Sequence, residues 1–375
     1  MAKRNMLSLD KNNPVALYAQ LASQLREQIH RGELPLGSKL PTEIELARRY
    51  SISRGTARQA MAILTHKGLV KRVAGKGTFV RRRNEEPVRK CIGLVIPHAQ
   101  DSLSMEILVG AESVAKSRGY SILFCYTDDD LATENQDIER LRNEHVGGLI
   151  ICPVSNLNRD DAVWQLHQEN FPFVLVDRYF PGLDADYVVV DNAGGAYAAT
   201  AHLAGLGYRS IGFASTSGME TTSTRDRFQG YRRALEDKGL PYRDEWVCAC
   251  TLASLNEEEG QEFIRECWQS HERPQAYFAV NDLTAMRMMR AAAAVGLSLP
   301  RELALVGFDD IDAAARLSFP LTTVAQPRRE IGVQAAGLLL DRLEGTRTGP
   351  TRIVLPVSLV VRESCGAGLA AGERR

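Results

Sequence analysis

The stretch that decides the fold of the N-terminal part is PTEIELARRYSISRGTARQAMAIL, residues 41–64. Thr42 and Glu45 have the spacing of a capping box, in which a threonine side chain caps a helix and a glutamate three positions later reaches back. Ser53 is a second N-cap candidate, and the apolar residues after it keep helical spacing up to Leu64. The stretch therefore predicts two helices joined by a very short turn.

One more helix and a hairpin flank this pair. Upstream, leucine or isoleucine recurs every fourth residue from Leu17 to Ile29, which gives one apolar stripe that ends at Gly32. Downstream, two short apolar strands surround the glycine turn Gly75-Lys76-Gly77. The order helix, helix, helix, hairpin predicts a small winged helix-turn-helix domain.

The zero net charge of the 375-residue chain hides two parts of opposite charge. Residues 1–90 contain 19 Lys and Arg against 7 Asp and Glu, a net charge of +12, so the remainder carries −12. A basic segment attracts a polyanion by releasing its counterions, whereas an acidic segment is repelled. We expect the N-terminal part to bind nucleic acid and the rest to have a different partner.

Cationic and hydroxyl side chains gather at the start of the third predicted helix. Arg54 and Arg58 are one turn apart and share a face, where they repel each other unless an anion lies between them. A helix tip in the major groove brings its first residues to base edges, and arginine grips guanine with two hydrogen bonds. The predicted contacts to double-stranded DNA are Ser53, Arg54, Gly55, Thr56, Arg58, Gly75 and Lys76. The alternative for Arg54 alone is an ordinary solvated arginine.

Beyond residue 90, short apolar strands alternate with amphipathic helices, one of which is predicted at Glu257–Ser270. Such alternation implies parallel sheets covered by helices, and about twelve elements over ~250 residues favour two lobes rather than one sheet. We predict an α/β fold with a winged-helix DNA-binding domain at 12–82, an exposed linker at 83–90 and a two-lobed domain at 91–364.

Polar groups follow several of the predicted strands. In parallel sheets, ligands bind beyond the carboxyl ends of the strands, and carboxylate, amide and guanidinium groups beside aromatic rings suit a neutral polyhydroxyl ligand. The predicted ligand-binding residues are Asp101, Ser102, Asp177, Tyr179, Arg227, Asn281 and Asp309. Asp282 and Asp310 stand at predicted helix starts and are expected to be N-caps instead. Arg178 is either a ligand contact or half of a structural salt bridge.

The N-terminal motifs resemble those of the GntR family of winged helix-turn-helix regulators. The segments that carry the resemblance are Gly32-x-Leu34-x-x-Gly37-Ser38-x-Leu40-Pro41-Thr42-Glu43, Tyr50-x-Ile52-Ser53-Arg54-x-Thr56-Ala57-Arg58 and Gly75-Lys76-Gly77-Thr78-Phe79-Val80. The resemblance covers residues 14–81 and implies that Arg54, Thr56 and Arg58 contact the groove and phosphates, with Gly75 and Lys76 in the wing. Thr42 completes the predicted DNA-contacting set.

The remainder resembles the effector domain of the LacI/GalR family, which is itself similar to periplasmic sugar-binding proteins. The carrying segments, between residues 91 and 362, include Val174-Leu175-Val176-Asp177-Arg178, Arg225-x-Arg227-x-x-Gly230-Tyr231 and Val306-Gly307-Phe308-Asp309-Asp310. The resemblance implies that the family's ligand positions fall on Asp177, Arg227, Asn281 and Asp309, with support from the loop 101–104 and Gln326. Where the family often has an asparagine-proline-aromatic-aromatic run, this chain has Asp101-Ser102-Leu103-Ser104.

The combination resembles the arabinose-repressor subgroup of GntR regulators. It implies a DNA-binding transcription regulator, expected to be a repressor, that binds a pseudo-palindromic operator as a homodimer and responds to a sugar. The alternative effector is a non-sugar metabolite such as a nucleobase.

Other classes of protein fit the sequence less well. A GntR head fused to an aminotransferase-like enzyme needs a cofactor lysine in a strand-end loop, and the predicted strand ends offer none. A sugar-transport receptor does not fit the missing signal peptide or the basic N-terminal part. The seven scattered cysteines are interpreted as buried thiols. We therefore predict no enzyme activity, no cofactor, no metal and no membrane partner, and a cytoplasmic location.

Overall fold

The computed structural model describes Leu9 and residues 16–30, 32–35, 37–66, 68–73, 75–80, 90–98, 102–154, 162–215, 219, 221–249 and 273–369. The chain separates into two compact units, residues 1–88 and 89–375. The domain boundaries drawn from the sequence stay predictions, and the helix predicted at Glu257–Ser270 lies outside the described residues. Among the helices in these ranges, none is both long and apolar enough to traverse a membrane.

The first unit is a winged helix-turn-helix fold. Its elements are α1 (Leu17–His30), α2 (Glu43–Tyr50), α3 (Arg54–His66), β1 (Val70–Val73) and β2 (Gly77–Val80). The two strands form an antiparallel hairpin, and the leucine stripe of α1 is buried against α3. The structure confirms the predicted order of elements. The sequence could predict it because each element is defined by a local cap or an apolar stripe.

The second unit contains two six-stranded sheets, and each is the centre of a lobe. In the first lobe, the sheet runs in the order β13-β7-β6-β5-β3-β4 and all of its strands are parallel. Its elements are β3 (Cys91–Ile96), α4 (Ser102–Ser117), β4 (Ser121–Tyr126), α5 (Leu131–Asn143), β5 (Leu149–Ile151), α6 (Ala162–Gln168), β6 (Phe173–Val176), β7 (Asp186–Val190), α10 (Arg328–Leu343) and β13 (Arg352–Leu355).

The sheet of the second lobe runs in the order β14-β12-β11-β10-β8-β9 and is parallel except for β14 at its edge. Its elements are α7 (Asn192–Gly205), β8 (Ile211–Ser215), α8 (Thr222–Asp237), β9 (Val247–Ala249), β10 (Ala276–Ala279), α9 (Asp282–Ala294), β11 (Ala304–Asp309), β12 (Thr322–Ala325) and β14 (Ser358–Val360). The chain crosses between the lobes after β7, after β12 and after β13. The predicted two-lobed α/β fold is confirmed.

The two predicted helix caps in the second lobe are wrong. Asn281, and not Asp282, caps α9, because its side-chain oxygen accepts a hydrogen bond from Thr284 N. Asp310 instead forms an ion pair of 2.6 Å with Arg362. Adjacent polar residues at a helix start are equally able to cap, so contacts from distant parts of the chain decide which one does.

Asp282 is fully buried behind the ends of the strands. Its carboxyl accepts hydrogen bonds from Ile311 N at 2.9 Å and from the Thr323 hydroxyl at 2.5 Å. Burial, followed by the charge of nearby Asp309, raises the pKa of Asp282 to about 8. Burial and a neighbouring carboxylate therefore both favour the protonated form of this side chain over the charged form.

Helices α4 and α10 approach closely because both carry a glycine at the contact. A Cβ atom added to Gly332 would lie 2.0 Å from the carbonyl oxygen of Ile107, and one added to Gly110 would lie 2.0 Å from that of Arg329. Gly337, also on α10, has no neighbour within 4 Å of such an atom. The two glycines of α10 thus differ in packing while sharing the same helix.

We predict opposite effects of alanine at these two positions of α10. Gly332→Ala forces the backbones of α4 and α10 apart and lowers the free energy of unfolding by about 1–3 kcal/mol. Gly337→Ala is neutral or raises it by up to about 1 kcal/mol, because alanine favours the helix. Calorimetric melting of both variants measures the difference. Equal melting temperatures would contradict the tight helix contact.

Candidate functional site

The predicted DNA contacts of the first unit lie around the start of α3. Ser53 caps this helix, since its hydroxyl accepts a hydrogen bond from Thr56 N at 3.0 Å. The Thr56 hydroxyl lies 2.8 Å from the Ser53 hydroxyl, and Gly55 between them is exposed. The first turn of α3 therefore presents hydroxyl groups and main-chain amides at an accessible helix tip.

Arg54 and Arg58 are both exposed, and the same carboxylate lies beside both. Glu43, at the start of α2, has its Oε2 atom 3.6 Å from Arg54 Nε and 3.3 Å from Arg58 Nε. The side chains of the two arginines are 62% and 63% exposed, whereas that of Glu43 is 17% exposed. Glu43 offsets part of the repulsion between the arginines and leaves most of each guanidinium accessible to an anion.

The other two predicted contacts have different surroundings. Thr42 is the N-cap of α2 and makes the complete capping box with Glu45, so its hydroxyl is engaged in the helix cap. In the wing, Gly75 has a φ of 72°, a conformation that glycine adopts without strain. Lys76 follows it and is exposed at the turn.

Arg227 on α8 makes several polar contacts in the second lobe. It is 5% exposed, its Nε donates to Asn192 Oδ1 at 2.8 Å, and its Nη1 donates to the carbonyl oxygen of Val280 at 2.7 Å. The same Nη1 lies 3.4 Å from Asp309 Oδ1, and the guanidinium carbon lies 3.7 Å from the centre of the Phe308 ring. Arg227 thereby joins the start of α7 to the ends of β10 and β11 in the second lobe.

Gln326 lies next to this cluster, at the crossover that follows β12. Its Nε2 donates to Asp309 Oδ1 at 2.6 Å. Its Oε1 is buried and has no hydrogen-bond partner among the described residues. A buried acceptor without a donor costs about 1–3 kcal/mol, so this atom is suited to a hydroxyl of a ligand.

Asn281 lies at the same end of the sheet, but its side chain caps helix α9. Its Oδ1 accepts hydrogen bonds from both the amide and the hydroxyl of Thr284, at 2.8 and 2.7 Å. The predicted ligand contact of Asn281 is therefore limited to its amide nitrogen.

Asp177 and Arg178 follow β6 in the first lobe. Asp177 has a φ of 63° and is 9% exposed, and its Oδ2 lies 3.4 Å from Arg178 Nε. Arg178 also donates from Nη1 to the carbonyl oxygens of Pro153 and Val154, each at 2.8 Å. The structure thus contains the salt bridge that was one of the two alternatives for Arg178.

Tyr179 packs inside the first lobe and contacts the second through its backbone. Its ring stacks on Tyr187, with 5.0 Å between ring centres. Its amide donates to the Thr222 hydroxyl at 3.0 Å, and that hydroxyl lies 3.3 Å from the carbonyl oxygen of Tyr179. Thr222 begins α8 of the second lobe, so this pair joins the two lobes.

The loop after β3 is described only in part. Asp101 lies outside the described residues, whereas Ser102 begins α4. The Ser102 hydroxyl accepts a hydrogen bond from Arg328 Nη1 at 2.6 Å, and the Asp312 amide lies 3.4 Å from it. Ser102 is thus engaged by protein groups of both lobes.

Sequence reasoning missed four of the residues that organise this region, namely Asn192, Thr222, Asp312 and Arg328. The sequence could have pointed to Asn192, because it follows Asp191 after a strand and begins a helix, as the other predicted polar residues do. The other three have no local signal, because their partners are far away in sequence. In the described part of the chain, no group of three or more His, Cys, Asp or Glu side chains is arranged to hold a metal ion.

Two protein-family comparisons match the two units. Residues 17–80 match the family of bacterial regulatory proteins called gntR, and residues 200–365 match the periplasmic binding protein-like domain. The arabinose metabolism transcriptional repressor of Geobacillus stearothermophilus is 31% identical over 366 residues, which cover 94% of this chain and 99% of the repressor.

Solved structures give the same result for the fold. The complex of the transcriptional regulator CelR with cellobiose has a TM-score of 0.65 at 26% identity, covering 87% of this chain and 100% of that one. A LacI family regulator from Enterococcus faecium with bound ribose has a TM-score of 0.63 at 25% identity, covering 73% of this chain and 98% of that one. The chain therefore belongs to the GntR family of bacterial transcriptional regulators, a non-enzymatic family, and combines the family's DNA-binding domain with a LacI-like, periplasmic-binding-protein-like domain.

Proposed function

We propose that this regulator is a repressor whose affinity for its operator is controlled by a sugar bound between the two lobes of the second unit. The proposal includes a homodimer that reads the halves of a pseudo-palindromic operator, because two-fold symmetry in a protein is mirrored in its site. It also includes a cytoplasmic location, where the chromosome and the metabolite are both accessible.

The DNA part of the proposal rests on the tip of α3. Two arginines one turn apart remain mostly exposed although a carboxylate lies beside both. Hydroxyls and amides surround them, and the segment that contains them carries a net charge of +12. Phosphate contacts supply affinity and base contacts supply specificity, and this surface offers groups for both.

The sugar part rests on one observation, the buried cluster of Arg227, Asp309 and Gln326. Arg227 and Asp309 compensate each other's charge, and Asp177 and Arg178 do the same in the first lobe. A cleft with paired charges offers directional hydrogen bonds without a net charge, which favours a neutral polyhydroxyl ligand over a phosphate or carboxylate. A relative named for arabinose metabolism and solved structures with cellobiose and with ribose agree with this class.

The proposed mechanism couples the two sites through the lobes. A sugar that contacts both Asp177 in the first lobe and Arg227 in the second favours the closed arrangement. Closure changes the spacing of the two DNA-binding domains in the dimer. The operator affinity then falls by the free-energy difference between the two arrangements, typically about 1–3 kcal/mol.

For DNA binding, we predict that Arg58→Ala lowers sequence specificity, whereas Arg26→Ala, which removes the same charge, does not. Each removes one exposed positive charge from the first unit, but Arg26 lies on α1, away from the proposed contact surface. Arg58→Ala should lower the preference for the selected operator over random duplex by about 1–3 kcal/mol, the value of a bidentate base contact. Arg26→Ala should leave this preference unchanged.

The measurement is fluorescence anisotropy with an operator selected from a random duplex library by the full-length wild-type chain. Both variants are titrated at several salt concentrations, because charge loss alone changes affinity for all sequences alike. Equal preference ratios for the two variants would contradict a base contact by Arg58. Failure of the wild type to enrich any inverted repeat would contradict the proposed operator.

For the effector, we predict a thermal shift with a neutral sugar that depends on Asp177. The panel contains L-arabinose, D-ribose, cellobiose, glucose 6-phosphate and adenine. A ligand at 100 times its dissociation constant adds about 2.7 kcal/mol to stability. Asp177→Asn keeps the left-handed backbone, which asparagine tolerates, but should weaken the ligand by about 1.5–3 kcal/mol through loss of a charged acceptor.

Asp128→Asn is the matched control for this variant. Asp128 has a φ of 51°, so the control replaces aspartate with asparagine at the same kind of left-handed backbone position. The Asp128 side chain is exposed and lies outside the proposed site. Its thermal shifts should equal those of the wild type. A shift with adenine or glucose 6-phosphate alone would replace the neutral sugar with another effector class.

A further inference from the structure

Three side chains form a contact between the lobes, and of these only Ser102 belongs to the predicted ligand-binding residues. Arg328 and Ser102 belong to the first lobe, at the starts of α10 and α4, and Asp312 follows β11 in the second lobe. Arg328 Nη1 donates to the Ser102 hydroxyl at 2.6 Å, and Arg328 Nη2 lies 3.4 Å from Asp312 Oδ1. The Asp312 amide lies 3.4 Å from the Ser102 hydroxyl. We call Ser102, Asp312 and Arg328 the clasp.

Arg328 lies at a position in its helix that is unfavourable for a cation, so its contacts with Ser102 and Asp312 help to hold it there. Arg328 is the first residue of α10, where the positive end of the helix dipole disfavours a cation. The side chain is nevertheless only 17% exposed and is directed to Ser102 and Asp312. The next residue, Arg329, is exposed and makes no such contact. The two arginines therefore carry the same charge at the same end of the helix but differ in the burial of their side chains.

Ser102 makes this arrangement possible because it is small and polar. Its single hydroxyl oxygen accepts from the guanidinium of Arg328 and faces the amide of Asp312.

A second connection between the lobes is formed by Tyr179 and Thr222. The Tyr179 amide donates to the Thr222 hydroxyl at 3.0 Å. Opening of the lobes breaks both this bond and the clasp, whereas bonds inside a lobe remain intact. The amides of Asp312 and Tyr179 therefore report lobe opening, and the amides of Ile311 and Asp177, bonded to Asp282 and Val188 in their own lobes, report local stability.

We propose that the clasp holds the two lobes together and that Arg328 is the positioning residue that sets how often the effector cleft opens. The proposal rests on the proposed function for its consequence, since effector entry and release require an open cleft. The contact between the lobes is itself independent of which effector binds. Asp312 is 67% exposed at its side chain, so solvent competes with the clasp and keeps it reversible.

The test is residue-resolved hydrogen exchange of the full-length chain without any added ligand. In Arg328→Gln, the amides of Asp312 and Tyr179 should exchange about fivefold faster, because opening becomes more frequent when an ion-pair contact is lost. The amides of Ile311 and Asp177 should exchange at wild-type rates. Arg329→Gln, which removes the same charge one residue later, should change none of the four.

Asp312→Asn removes the same contact from the other side. It keeps the proposal testable if Arg328→Gln folds poorly. It keeps the main-chain amide but removes the charge that Arg328 faces, so it should accelerate the same two amides. The double variant should exchange no faster than either single variant, because both remove one shared contact.

Three outcomes would overturn the proposal. Faster exchange at Asp312 without a change at Tyr179 means that the contact is local and does not hold the lobes. Acceleration at all four amides means general destabilisation. Equal profiles for Arg328→Gln and Arg329→Gln mean that only charge matters. Because no sugar is present, these results are separate from a failure to find a sugar effector.

Discussion

The second unit depends on the compensation of one buried cation. Arg227 is almost completely removed from water, and such a charge is tolerated only where partners replace its hydration. The carboxylate of Asp309 and the carbonyl of Val280 do so from the ends of two strands, and the side-chain amide oxygen of Asn192 does so from the start of α7. Their positions are therefore coupled to one another through Arg227.

The first unit uses its charges in the opposite way. Arg54 and Arg58 stay largely in water, and Glu43 is close enough to restrain them but not to cover them. An exposed pair of cations binds a polyanion by displacing counterions, whereas a buried, compensated cation offers hydrogen bonds of defined direction. This contrast explains how one chain with no net charge can offer the two different surfaces that the proposed binding of a nucleic acid and of a neutral metabolite requires.

The sequence predicted the elements that local patterns define. Helix α2 begins after Thr42 as its capping box required, and β1 and β2 form the hairpin predicted around the glycine turn. The cap of α9 was assigned to the wrong residue, because Asn281 and Asp282 have similar local chemistry and only the distant Ile311 and Thr323 draw the aspartate inside. The link between Ser102 and Arg328 spans 226 positions, and no local pattern reports such a contact.

The central claim is that the two units are coupled through one effector, and reciprocal titration tests it most directly. Operator affinity is measured with and without a saturating sugar, and sugar affinity is measured for the free and the operator-bound chain under the same salt conditions. The account predicts that both affinities change by the same factor, about 5–150-fold, as linkage requires. An operator affinity that stays constant at saturating sugar would contradict it.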